Sequence, residues 1–202
     1  MIDELEFIDL NKISVSDDII RQFDCGNNDI NEYFYETSKD DCKTGNGVTY
    51  ILVNKYDIEA KNIENIYAIA TIKTTGLNYF EPGEKYHTKK VDENGNVLSV
   101  VPGVEIKIFA IEKALRGQYK NGTEELYSTI FFKMLLEMLY FMSMRVIGFK
   151  MIYLRSNSEG KGLYNRLHFS DCTSFLETYD ETAEECTPMI LSFEDLEYVL
   201  YG

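Results

Sequence analysis

Between Arg116 and Gly122 two cations, Arg116 and Lys120, are interleaved with Gly117 and Gly122. The segment follows the most strand-like run of the chain, Val104 to Glu112, and precedes its longest apolar stretch. Free N–H groups and the dipole at a helix start stabilise an anion, so a strand, a polar glycine-containing loop and a long helix in that order make a place for a phosphate. Other chemistries have less to draw on. Cys25, Cys42, Cys172 and Cys186 include no C-x-x-C pair, and the two histidines, His87 and His168, lie far apart. Zinc and redox spacings are therefore missing, and a Ser-His-Asp triad has few partners. No metal is expected, and the four thiols read as reduced residues of a cytosolic protein.

The chain of 202 residues fits one domain spanning 1–202. Its formal charge of -14 sets an acidic surface against phosphate backbones, which argues against nucleic acid as a partner. From Leu167 onward there is no Lys or Arg, while Asp171, Glu177, Asp180, Glu181, Glu184, Glu185, Glu194, Asp195 and Glu197 follow one another. Such a surface attracts a cationic substrate, or is simply a solvated face. Met1-Ile2-Asp3-Glu4 is acidic where a signal peptide is basic. The stretch from Leu126 to Gly148 carries Lys133, Glu137 and Arg145, which makes it a buried helix rather than a membrane span. The expected location is cytoplasmic, with no membrane partner.

Apolar periodicity and turn residues place the elements. Glu6 to Leu10 reads as a strand, and Ser16-Asp17-Asp18 offers N-caps for a helix over Ile19 to Phe23. Ile30, Tyr33 and Phe34 share one face of a second helix, Ile30 to Asp41, which Gly45-Asn46-Gly47 stops. Val48–Lys55 and Ile66–Thr75 read as strands joined by a polar loop. Asn78 to Gly103 is an excursion whose Asn94-Gly95 turn, flanked by Lys89–Asp92 and Val97–Val101, suggests an inserted β-hairpin. The main helix spans Glu124 to Ile147. A strand over Met151–Arg155, a short helix over Gly162–Leu167 and a strand over Pro188–Phe193 complete the order. This alternation argues for an α/β sheet with helices on both faces.

Several of these segments resemble the GNAT superfamily of acyl-CoA N-acyltransferases. Val104-Glu105-Ile106-Lys107-Ile108-Phe109-Ala110-Ile111 resembles its fourth strand, and Arg116-Gly117-Gln118-Tyr119-Lys120-Asn121-Gly122 falls where it keeps a pyrophosphate loop. Met151 to Asn157 resembles the fifth strand, and Tyr164-Asn165-Arg166-Leu167-His168-Phe169 resembles the Tyr-x-x-x-Gly-Phe segment after it. The match covers residues 48 to 193. Phe23-Asp24-Cys25-Gly26 with Asp29 to Phe34 resembles an N-terminal segment of a bacterial branch that includes toxins acetylating aminoacyl-tRNA. The fold so implied is an α/β (α+β) one: a mixed, mostly antiparallel sheet, helices on both faces, and here an inserted hairpin. The fourth strand is expected to end in a bulge and splay from the fifth.

The resemblance also implies roles. Acetyl-CoA is the co-substrate, bound by Phe109, Ile111, Arg116, Gly117, Gln118, Lys120, Asn121, Gly122 and Asn157. Tyr164 is the general acid for the leaving thiolate, and its ordinary value near 10 keeps it protonated at neutral pH. Glu105 is the general base, if it is not a strand-end carboxylate in solvent. Asn157 either bonds the pantetheine or orders the turn it begins. The family loop runs Gln or Arg, two residues, Gly, one residue, Gly or Ala. Here Tyr119 and Asn121 fill both glycine slots, and Gly122 follows one step late. Glu124 and Glu125 would add negative charge if they opened the helix. Alternatively the helix starts near Ser128 and residues 117 to 127 form a widened loop.

Three functions fit these features. The first is acetyl transfer to a primary amine of a small molecule, peptide or protein, with a cationic acceptor favoured. The second is a toxin acting on aminoacyl-tRNA, which needs a basic face built from Lys107, Arg116, Lys120, Lys133, Arg155, Lys161 and Arg166. The third is a GNAT-like binding module that no longer holds CoA. The hairpin either caps the acceptor cleft or joins two copies as a homodimer.

Overall fold

A computed structural model describes residues 4–81, 97–173 and 186–202. Its strands are β1 (Leu5–Asp9), β2 (Val48–Asn54), β3 (Ala68–Glu81), β4 (Val97–Ile111), β5 (Met151–Ser156), β6 (Ser170–Asp171) and β7 (Thr187–Ser192). They form a seven-stranded sheet of order β1-β2-β3-β4-β5-β7-β6. The pairs β1–β2, β2–β3, β5–β7 and β6–β7 are antiparallel. The helices are α1 (Asp17–Gln22), α2 (Asn28–Glu32), α3 (Ser38–Thr44), α4 (Lys55–Ala60), α5 (Tyr127–Arg145), α6 (Lys161–Arg166) and α7 (Phe193–Tyr201). The chain divides into two compact units, Met1–Lys73 with Ile106–Val146, and Thr74–Glu105 with Ile147–Gly202.

In the first unit the α1–α3 segment covers one apolar cluster. Ile20, Phe23, Cys25 and Phe34 pack with Ile51, Val53, Ile69 and Ala110 of the strands. The expected helix over Ile30 to Asp41 is a composite, since α2 and α3 are joined by a π-helical turn over Tyr33–Thr37. The wider turn keeps Tyr33 and Asp41 bonded to each other, hydroxyl to Oδ2, at 2.8 Å. Lys107 Nζ donates to the same oxygen at 2.7 Å and lies 4.6 Å from the centre of the Tyr33 ring. The Lys107 ammonium and then the Tyr33 hydroxyl hold the Asp41 carboxyl below its usual range.

Lys107 therefore turns to the α1–α3 layer, and so do its neighbour Ile108 and Ala110, whereas Phe109 meets Phe132 of α5. Successive strand residues normally point to opposite faces. The alternation thus slips by one residue between Lys107 and Ile108, as a β-bulge makes it do.

The turn before α2 is built on a buried amide. Asn31, 8% exposed, accepts from Cys25 N–H at 3.0 Å and from Cys25 Sγ at 3.2 Å, and its Nδ2 donates to Asp24 Oδ1 at 2.8 Å. Asn31→Ala removes all three bonds and leaves the Cys25 amide without its partner. Removing such buried partners costs about 2–3 kcal/mol. Urea denaturation is expected to show this as a lowered midpoint with an unchanged slope.

Two sequence expectations need correction. The loop expected after Lys55 contains α4, capped by Asn54, whose Oδ1 accepts from Tyr56 N–H at 3.0 Å. The two ends of the excursion continue the sheet strands: residues 78–81 belong to β3 and residues 97–103 to β4. Its proposed turn at Asn94-Gly95 and strand at Lys89–Asp92 lie outside the described residues. Strand β4 continues through Pro102 and Gly103. Pro102 has no N–H to give the ladder, and its carbonyl accepts from Lys150 N–H at 2.9 Å. A Cβ at Gly103 would sit 2.8 Å from Met151 side-chain carbons, so glycine is what allows β5 this close. The main helix starts at Tyr127 rather than Glu124, so Glu124 and Glu125 lie in the loop, and Glu125 pairs with Lys133 at 2.8 Å.

Candidate active site

Within the first unit, the segment from β4 to α5 is a widened loop closed on itself. A 3₁₀ turn over Lys113–Leu115 opens it. Lys120 N–H then bonds Glu125 C=O at 2.9 Å, and Tyr127 N–H bonds Gln118 C=O at 3.0 Å. Thr123 N–H bonds Lys120 C=O at 3.0 Å, and Glu125 N–H bonds Thr123 Oγ1 at 3.3 Å. The amides of Gly117, Asn121, Gly122 and Ser128 have no acceptor among the described residues.

Gly117 and Gly122 adopt φ of 69° and 78°, and a Cβ built on either would meet nothing within 4 Å. The left-handed backbone is what calls for glycine at these two positions. Ser128 stands in the first turn of the 19-residue helix α5, which has no side-chain cap at Leu126 and no acid in that turn. Unbonded amides, the positive end of the helix dipole, and Arg116 and Lys120 nearby in sequence suit a diphosphate. These residues fit the diphosphate of an acyl-CoA, although the glycine pattern departs from the family's.

The other residues expected to bind it behave differently. Phe109 meets Phe132 edge-on, with ring centres 4.9 Å apart, and Ile111 is buried, so both side chains are packing residues. Gln118 spends its amide on Leu115 C=O and its carbonyl on Tyr127. Of the cations wanted for a basic face, Lys107, Lys133 and Lys161 stand beside carboxylates of Asp41, Glu125 and Asp171.

Tyr164, Asn157 and Glu105 belong to the second unit. Asn157 Oδ1 accepts from Gly160 N–H at 2.8 Å, and its carbonyl accepts from Ser156 Oγ at 2.8 Å and Lys161 N–H at 3.2 Å. The residue thus orders the turn that leads into α6 and to Tyr164. A Cβ at Gly160 would come within 2.9 Å of Tyr164 Cε2, so this glycine makes room for the ring. Burial pushes the Tyr164 phenol up to about 12. His168 takes φ of 64° at the position where the family motif has glycine, and Phe169 follows with its ring 5.8 Å from that of Tyr164.

Sequence reasoning missed Tyr153, and it placed Arg155 only in a basic face. Burial raises the Tyr153 phenol, the Arg155 hydrogen bond pulls it down, and the Glu105 carboxylate adds to the rise. Arg155 Nε lies 3.2 Å from Tyr153 Oη. The signal was a period-two pair on β5, Tyr153 and Arg155, facing the same way. Also missed were Asp24, Glu112 and Lys113. Among the described residues no cluster could hold a metal ion, and no helix is long and apolar enough to cross a membrane.

The fold is that of the GNAT acyltransferases. No protein-family model matches the chain, and no curated protein does. Solved structures match over nearly their full length. One is a point mutant of the AtaT toxin bound to the C-terminus of the antitoxin AtaR and acetyl-CoA. It is 14% identical, with a TM-score of 0.64, covering 99% of this chain and 100% of that one. AtaT complexed with acetyl-methionyl-tRNAfMet is 15% identical at TM-score 0.62, covering 97% and 99%. A mutant of KacT is 16% identical at TM-score 0.62, again covering 97% and 99%. Within the GNAT fold, the chain is similar to the toxin-type branch, as the Phe23–Phe34 segment implied.

Proposed function

We propose that the chain is an acetyl-CoA-dependent N-acetyltransferase acting on a primary amine. The observation that carries this reading is the set of unbonded amides at Gly117, Asn121, Gly122 and Ser128, beside Arg116 and Lys120. Acetyl-CoA supplies a thioester acyl group when bound. Gly117, Asn121, Gly122 and Ser128 hold its diphosphate through N–H groups, with Arg116 and Lys120 as cations. Glu105 takes the proton that the attacking amine gives up. Tyr164 Oη holds the proton that the departing thiolate needs, and its raised value keeps that proton in place across neutral pH. Asn157 fixes the turn that presents Tyr164. Neighbours solved with acetyl-CoA, and two solved as single Tyr-to-Phe mutants, support the reading.

Two acceptor classes are proposed. One is a free amine on a small molecule, peptide or protein, which the charge of -14 favours when the acceptor is cationic. The other is the amine of an aminoacyl-tRNA, favoured by AtaT, solved with acetyl-methionyl-tRNAfMet, and by coverage that includes the N-terminal segment. Radiolabelled acetyl-CoA is to be offered with charged tRNA, a polyamine and a lysine-rich peptide in parallel. Label on one acceptor and not the others assigns the class. Binding of acetyl-CoA in calorimetry with no transfer to any of them overturns the enzymatic reading. An absence of heat at millimolar acetyl-CoA leaves the third function, a module without CoA.

A further inference from the structure

We propose that Asp24 is a positioning residue for the acyl-CoA loop: the Asp24-Cys25-Gly26 turn clasps the end of β4 and fixes where Arg116 points. This rests on the reading that the loop holds a diphosphate. The clasp joins residues far apart in sequence. Asp24 N–H donates to Glu112 Oε2 at 2.9 Å, and Lys113 N–H donates to Asp24 C=O at 2.8 Å. Lys113 Nζ closes on Asp24 Oδ2 as a charge-assisted pair. Arg116 Nη1 reaches Cys25 C=O at 3.4 Å.

The turn is itself rigid. Asp24 Oδ1 accepts from Gly26 N–H at 2.7 Å and from the buried Asn31 amide at 2.8 Å. Gly26 has φ of 78°, and a Cβ there would lie 3.5 Å from Arg116 Nη1 and 3.8 Å from Lys113 Cβ. The guanidinium therefore lies directly over the turn. On the other side, Glu112 N–H is tied to Tyr67 C=O at 2.9 Å. Residues 112–116 are thus held from two directions before the open loop begins. The carboxyl of Asp24 is held at about 2 by Lys113, then Asn31 and the Gly26 amide. It stays ionised throughout neutral pH, so the clasp is constitutive rather than a pH switch.

A purely structural turn and a positioning clasp differ in what they do to ligands. Arg116 serves the diphosphate, so loosening the clasp should weaken only ligands that carry one. Asp24→Ala, Asp24→Asn and Lys113→Ala are to be compared with wild type by calorimetry with acetyl-CoA, and by turnover with S-acetylpantetheine, which lacks the diphosphate. The expected result is a KM and Kd for acetyl-CoA raised about tenfold with kcat retained, and unchanged turnover of S-acetylpantetheine. Lys113→Ala changes an exposed side chain and keeps the test valid if the Asp24 variants fail to fold. Equal affinity for acetyl-CoA in wild type and variants overturns the clasp, as does an equal loss with both substrates. Failure of the wild type to bind acetyl-CoA overturns the functional reading, and the clasp with it.

Discussion

Tyr164→Phe is expected to lower kcat by about 10²-fold to 10³-fold, within the range for loss of a positioned proton donor, while the Kd for acetyl-CoA changes less than about twofold. The substitution deletes one hydroxyl and keeps the ring that lies against Gly160 and near Phe169. Single-turnover kinetics with saturating acetyl-CoA separate chemistry from binding. Tyr164 has a second signature in pH. Its value in the fold is raised by burial to about 12. A raised value means that the folded state favours the neutral phenol. That preference is fully present below the ordinary tyrosine range near 10 and is lost as pH rises through about 12. The wild-type rate should therefore hold its proton-donor limb past pH 10. A limb falling near 10 that survives in Tyr164→Phe would assign the acid to another group. Full activity in Tyr164→Phe would remove its role outright.

The elements that position the site were largely legible in the sequence, and the reasons differ from one to the next. The run Val104 to Glu112 is β-branched and alternating, so β4 was visible, but the slip between Lys107 and Ile108 was not. Nothing in a period-two pattern marks a bulge unless polar and apolar residues change sides, and Lys107 next to Ile108 does so only once Asp41 is known to lie above it. The start of α5 was ambiguous for a physical reason. Glu124 and Glu125 favour a helix N-terminus, yet a two-bond hairpin between Gln118 and Tyr127 competes for them and prevails. Helix α4 was missed because its six residues carry no apolar period, and Tyr56 points to solvent.

The site residues divide in the same way. Tyr164 and Gly122 could be singled out as candidates because a motif or a turn requirement names the residue type. The family slot filled by His168 shows how far such a motif reaches: the backbone keeps φ of 64° although the glycine is gone. The clasp was illegible, because Asp24 and Lys113 are separated by 89 positions and only the fold makes them neighbours. Phe109 is expected at the ligand on a strand whose backbone serves the acyl-CoA arm, and its ring packs on α5. An aromatic on a central strand is core first, since burying its ring yields far more than a single ligand contact.

That packing sets the largest expected effect on stability. Phe132→Ala should destabilise the protein by about 3–5 kcal/mol, the range for emptying a buried aromatic site. Phe132 is 0% exposed, meets Phe109 at an interplanar angle of 74°, and belongs to a run with Phe131, Leu135, Leu136 and Leu139 on α5. Spacings of three and four along that helix bury one broad face, so neighbouring side chains are already packed and cannot fold into the space left. Phe141, on the same helix but 41% exposed, is the control, and its alanine variant should cost less than about 1 kcal/mol. Chemical denaturation of both variants checks the difference. The functional consequence follows from the start of α5, one turn before Phe132, where Ser128 presents its amide. If the helix start holds a diphosphate, acetyl-CoA should raise the melting temperature of Phe132→Ala as it does that of wild type, because binding adds the same increment to any folded chain that keeps the site. A variant that folds at low temperature but gains nothing from acetyl-CoA would show that Phe132 sets the position of the helix start as well as its stability.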